Sequence, residues 1–412
     1  MRISSNQLFQ TGLNAINNQQ AGLMHVYQQI SSGQRMVTPA DDPLAASQAI
    51  NISQSQSINK QFAANRQVAT NSLGTEDNVL ASVTTQMQSI KASLVQAGNG
   101  ALSDVDRNTL AETLSNAKSS LLALANSTDD NGQYIFSGWQ GTQAPFVADA
   151  AGTVSATAVS GQRLVQVDPT SQMSTSDLGT DIFSRATPGT QGYLTAALPT
   201  NTGTGQIGTP TVTDPAGSSV GKNFSISFSG SPLQYTIAMT DSLGAPAGSV
   251  GPVAYQAGST VLDMTGGVQV QFSGQPNAGD TFTVNTTAST NLNVFGTLDS
   301  VIAALKSPAG GNAAASAKLT NAVSTAMQKI SVNYDNILTV RASVGTRLNQ
   351  IDALNANGTS RDLGYTAQLT QLESVDYYSA SSELQLRQSA LDAASLAFKK
   401  IQGNSLFNSG TS

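Results

Sequence analysis

The stretch FQTGLNAINNQQAGLMHVYQQI, Phe9 to Ile30, places apolar side chains at Phe9, Leu13, Ile16, Leu23, Tyr27 and Ile30, a 4-3 alternation broken once by the polar Gln20. A repeat averaging 3.5 residues keeps one stripe of an α-helix turned toward a partner, so the stretch reads as a coiled-coil seam. Charges that would solvate its flanks are sparse, which points to burial against other subunits.

The pattern recurs along the chain. Leu73, Leu80, Val83, Met87, Ile90 and Leu94 keep the same phase within a predicted helix from about Pro43 to about Ala97, closed by Gly98-Asn-Gly100. At ~1.5 Å per residue that helix is roughly 80 Å long. Leu110, Leu114, Ala117, Leu121 and Leu124 predict a third helix from Ser103, with Asp104 and Asp106 near its positive end. Toward the other end of the chain the periodicity returns at Leu298, Val301, Ile302 and Leu305 and continues from Leu319 to Ile351. A polar break at Asn355-Ala-Asn-Gly358 then precedes a last helix carrying Leu384, Leu391, Ala394, Phe398 and Ile401.

Between these arms the texture changes. After Asp129-Asp-Asn-Gly132 the Gly, Pro and Thr content rises, and period-2 alternation predicts strands at Phe224–Phe228, Tyr235–Ile237, Val268–Phe272 and Phe282–Val284. The expected architecture is α+β and multidomain. Residues 1–42 and 376–412 form terminal coiled-coil arms as an inner layer, 43–140 and 295–375 a helical rod, and 141–294 an inserted β domain. The Gly- and Pro-rich bounds of the insertion mark it as excisable across residues 150–292.

Composition excludes several functions. The 412 residues include no Cys, so disulfides, thiolate nucleophiles and Cys-ligated metals are ruled out. A net charge of -6 opposes nucleic acid, whose binding rests on Lys and Arg meeting phosphates. The longest pure apolar run, Leu121–Ala125, is far short of a membrane span. Arg2 is followed by polar Ser4 to Gln7, so the apolar core of a cleaved secretory signal is not expected. The single His25 has no ligating companion, Asp41 and Asp42 stand where a helix cap before Pro43 is needed, and Asp129-Asp-Asn-Gly132 lacks the alternating ligands of a calcium loop. No phosphate-cradling loop or nucleophile elbow is present, so no catalytic, cofactor or metal site is assigned and the chain reads as a non-enzyme.

Ile30-Ser31-Ser32-Gly33-Gln-Arg35-Met-Val-Thr-Pro-Ala-Asp41-Asp42-Pro43 resembles the N-terminal segment of the bacterial flagellin family, with a polar Gln34 where flagellins favour an apolar residue. Val344-Gly-Thr-Arg347-Leu348 is similar to the family's C-terminal region, and Leu372-Glu-Ser-Val375-Asp376 resembles the start of its last helix. Gly132-Gln-Tyr-Ile-Phe136-Ser137-Gly138, the opening Met1-Arg-Ile-Ser4 and the ending Ser405-Leu-Phe407 are similar to its hook–filament junction branch rather than to filament flagellin. The resemblance covers about residues 1–145 and 295–412; within the insertion only the Gly279-Asp280-Thr-Phe282 turn resembles a family pattern.

It implies a structural subunit at the junction of hook and filament, assembled through its helical arms with copies of itself in a ring, the hook-side junction protein and flagellin. It further implies a flagellar export chaperone before secretion, and export by the flagellar type III system to the extracellular flagellum without a cleaved signal. A filament flagellin is the first alternative. A cytoplasmic coiled-coil scaffold, or a secreted glycan-binding or hydrolytic β-domain protein, are the alternatives of other classes.

Overall fold

A computed structural model describes residues 5–159, 161–186, 192–258 and 260–407. The helices are α1 (Ser5–Ser32), α2 (Pro43–Ala97), α3 (Asp104–Ala125), the short α4 (Gly179–Phe183), α5 (Val294–Lys306), α6 (Ala313–Glu373) and α7 (Tyr377–Phe407). Met1 to Ser4, on which part of the resemblance rests, and the side chain of Ile401 lie outside the described residues.

Helix starts follow local chemistry. Asp42 Oδ1 accepts from Ala45 N at 3.0 Å and opens α2 ahead of Pro43, whose missing N–H costs nothing at that position. Ser103 and Asp106 form a reciprocal capping box on α3. Asn293 Oδ1 accepts from Phe295 N at 2.9 Å and Gly296 N at 3.2 Å to open α5.

The expected break at Asn355–Gly358 is absent, because α6 runs unbroken to Glu373. A single helical Gly costs only about 1 kcal/mol, and here the Gly358 carbonyl accepts from the buried Asn59 Nδ2 of α2 at 2.8 Å. The break falls at Ser374–Asp376 instead.

The chain divides into two compact units, residues 1–65 with 353–412, and residues 66–352. The position 42/43 falls at the start of α2 and 375/376 in the connection between α6 and α7, both inside the first unit. In the second unit the heptad residues Leu73, Leu80, Val83, Met87, Ile90 and Leu94 of α2, and Ile330, Ile337, Val344 and Ile351 of α6, are completely buried.

The β region has two parts. Antiparallel hairpins β1 (Phe146–Ala148)–β2 (Val154–Ala156) and β3 (Leu164–Asp168)–β4 (Ser171–Ser174) come first. An antiparallel pair of sheets follows, in orders β5-β12-β7-β8-β9 and β10-β11-β6. The strands are β5 (Tyr193–Ala197), β6 (Gln206–Val212), β7 (Asn223–Ser229), β8 (Gln234–Thr240), β9 (Pro246–Ala254), β10 (Thr260–Asp263), β11 (Val268–Ser273) and β12 (Thr281–Thr286). Alternating residues such as Phe224, Ile226 and Phe228 in β7 and Val268, Val270 and Phe272 in β11 share one core between the sheets. Buried Asp280 holds the Gly279-Asp280 turn, its carboxylate accepting from Thr202 N, Gly203 N and Asn277 N at 2.7 to 2.9 Å.

Asn321, Thr325 and Gln328, on one face of α6, bond the sheet edges. Asn321 donates to Gly205 O and accepts from Ile207 N, while Gln328 accepts from Thr195 N and Thr325 donates to Thr195 O. The helix thereby covers strand edges that would otherwise invite another chain. Thr287 N donates to Gly192 O at 3.3 Å, so the entry and exit of the sandwich are adjacent. Excision across 150–292 would therefore overreach. It would remove the second hairpin and Phe183, which packs edge-on against Phe136 and Phe146.

Candidate assembly interface

The terminal helices α1 and α7 run antiparallel. Phe9 meets Phe398 at 5.1 Å between ring centroids, Gly12 lies under the Phe398 ring, and Gly22 lies under Arg387. The arms thus have an intramolecular partner in each other, yet the pair stays wet. Phe9 and Leu13 remain about two-fifths exposed and Tyr27 is 61% exposed, while Ile16, Leu23, Ile30, Leu384, Leu391 and Phe398 are half-buried. Leu386, Leu396 and Tyr378 are more exposed still. Val26, which no seam reading picked out, is buried on α1.

The Ser31–Pro43 motif is a clasp between helices. The hydroxyls of Ser31 and Ser32 donate to Gln28 O and Gln29 O in the last turn of α1, and Gly33 leaves the helix at φ 71°, which a Cβ would disfavour. Gly33 O accepts from Val375 N at 3.0 Å and Arg35 N donates to Glu373 O at 2.6 Å, joining the turn to the α6–α7 connection. The Arg35 guanidinium donates to Leu372 O at 3.0 and 3.2 Å, satisfying a carbonyl at the end of α6, and reaches Asp42 Oδ2 at 3.3 Å.

Asp41 does not cap α2. It closes the loop by accepting from Val37 N and Thr38 N at 2.9 and 2.8 Å, with His25 Nε2 at 3.0 Å. The Thr38 N–H, foremost among these bonds, holds its carboxyl below the usual value.

Phe136, Ser137 and Gly138 form a buried corner in the second unit. Phe136 and Ser137 are fully buried, the Ser137 hydroxyl donating to Tyr134 O at 3.0 Å. Gly138 sits at φ 58° with Gly161 O so close that a Cβ would lie 2.2 Å from it. The motif thus supports the local core, and its outward element is Trp139, whose indole donates to Gln162 O at 2.6 Å.

Two buried charges of α2 escaped the sequence reading. Arg66 and Glu76 occupy the same 4-3 phase as Leu73 and Leu80, and both are buried. Glu76 Oε1 accepts from Asp177 N at 2.9 Å, and Arg347 pairs with Asp177. Burial first, then the charge of Asp177, pushes Glu76 up to about 8. The gap between Leu73 and Leu80 was the available signal. Among the described residues no group of three or more His, Cys, Asp or Glu could hold a metal ion, and no helix is long and apolar enough to cross a membrane.

Residues 3–141 match the bacterial flagellin N-terminal helical region. Over 409 residues the chain is 31% identical to flagellar hook-associated protein 3 of Salmonella typhimurium, covering 99% of both chains. Over 407 residues it is 30% identical to the Escherichia coli protein of that name, again with 99% of each covered. Among solved structures it is similar to hook-associated protein 3 of Legionella pneumophila, with TM-score 0.68, 27% identity, and 78% of this chain and 98% of that one covered. FlgL of Xanthomonas campestris gives TM-score 0.65 at 29% identity, with 77% and 99% covered.

Proposed function

The chain belongs to the flagellar hook-associated protein 3 family and is a structural component of the flagellar hook–filament junction; from that premise we propose that it joins the two by completing its terminal unit against neighbouring subunits. The observation that carries this reading is the thin core of the first unit. Its buried apolar side chains among the described residues are Val26, Ala45, Ala49, Val375 and Ala380, three of them alanines. Tyr27, Tyr378, Leu386 and Leu396 meanwhile stand more than half exposed. Helices of this length draw most of their stability from packing of an apolar face, so the unit gains stability wherever neighbours dry that face.

In this reading residues 1–42 and 376–412 form the inner layer, residues 43–140 and 295–375 the rod, and the insertion at 141–294 stands apart from the seam. The partners are further copies of the chain, the hook-side junction protein and flagellin, with an export chaperone holding the seam before passage through the flagellar export channel to the exterior. The chain acts as a structural part and not as a catalyst, in keeping with its relatives. The test is deletion of the gene followed by electron microscopy. Hooks without filaments, restored by the full chain, are expected. Normal filaments on the deletion strain would overturn the reading, and purified chain that polymerises without limit would favour a filament subunit.

A further inference from the structure

A groove of about 540 Å³ opens in the second unit between the end of β5, the C-terminal half of α5 and the first half of α6. Its walls are mostly small and apolar, with Ala197, Leu198, Ala304 and Ala322 among them, and no acidic residue lines it. Two cations do. Lys318 Nζ donates to Pro199 O at 3.1 Å, and Lys329 is half-buried with no carboxylate paired to it among the described residues. Burial holds the Lys329 ammonium below its ordinary pKa. An apolar hollow with an uncompensated ammonium suits an apolar peptide that brings a carboxylate.

The chain itself presents such a peptide. Between the helical arms, residues 141–294 hold eight Asp and no Glu against three basic residues, so most of the net charge of -6 lies there. At the β8–β9 turn Leu243 is 92% exposed, the highest value among the large hydrophobics described. The turn is braced, because Asp241 Oδ1 accepts from Leu243 N at 2.9 Å and from Ala245 N at 2.8 Å. A braced tip loses little freedom on docking.

The tip cannot fill the groove of its own chain. The groove borders β5 and the tip joins β8 to β9, at opposite edges of the sheet ordered β5-β12-β7-β8-β9. At about 4.8 Å per strand step the two edges are roughly 19 Å apart. We infer that the Asp241–Ala245 tip of one copy seats in the Lys318/Lys329 groove of the next, Leu243 entering the apolar hollow and Asp241 facing the lysines. A hollow and a knob on opposite edges make a head-to-tail contact, which closes into a ring where the rotation permits. This inference rests on the junction reading, in which copies stand side by side.

Because the chain has no Cys, paired cysteines report this contact without background. Leu243→Cys with Ala322→Cys, in the full chain replacing wild type in cells, should give disulfide-linked dimers and higher oligomers when isolated hook–filament junctions are oxidised. Each single variant should run as monomer. Junctions that contain the double variant but yield only monomer overturn the contact. Should the double variant fail to incorporate, Leu243→Ser and Lys329→Met decide. Each should lower junction retention about tenfold with the pair no worse than either alone, whereas multiplying losses overturn it. Wild-type chain missing from junctions would instead sink the junction reading itself.

Discussion

Leu391 lies half-buried on α7, so its side chain contributes little to the isolated chain and, in the reading above, much to the assembled one. Leu391→Asp should leave the melting of the second unit unchanged while abolishing filament attachment, since a carboxylate dried in a seam costs several kcal/mol at every subunit. Normal swimming by this variant would displace α7 from the seam. Glu76 poses the opposite problem, a carboxylate already dry within one chain. Its folded pKa of about 8 stands above the ordinary 4.5, so between those values the folded state holds more protons than the unfolded state. Its stabilising share is complete below about 4.5, declines as pH rises and is gone above about 8. Glu76→Gln keeps an acceptor for Asp177 N and should flatten this decline, raising stability at pH 9 by a few kcal/mol at about 1.4 kcal/mol per pKa unit. Denaturant titrations from pH 5 to 9 check the sign; a variant as pH-sensitive as wild type would show Glu76 ionised in the fold.

Whole elements differ in how firmly they are held. In dilute full-length chain, amides of α1 and α7 should exchange roughly a hundredfold faster than those in the buried stretches of α2 and α6 in the second unit, and should slow on joining the flagellum. Equal protection in the free chain would mean that the terminal pair needs no partner. Long elements were legible because Leu73 to Leu94 and Ile330 to Ile351 repeat one spacing over many turns. A break was expected inside α6 because Asn355-Ala-Asn-Gly358 has a loop's composition, whereas the carbonyl of Gly358 is held by Asn59 across the helix pair. Strands β5, β6 and β9 were missed for a related reason. Pro246, Gly248, Gly251 and Pro252 interrupt the alternation in β9, and β5 and β6 draw their edge partners from α6. The assembly seam was legible as a stripe but not in its depth, since Val26 is buried and Tyr27 beside it is not, which the spacing alone does not tell.

For the molecule as a whole, the adjacency of Gly192 and Thr287 sets where the sandwich can be removed. Replacing residues 193–286 with two glycines should give an exported, helical chain that still reaches the junction but is retained less well under shear, as electron microscopy of sheared cells would record. A chain that folds and is exported yet never seats flagellin would make the sandwich essential to joining. The pairing of α1 with α7 carries a different consequence. The helix near residue 9 finds its partner only near residue 398, after everything between has been delivered. A polypeptide cut short before α7 lacks the helix with which α1 pairs. Each subunit therefore carries a check on its own length, and a truncated one is left unfinished at the surface where it would otherwise be built in.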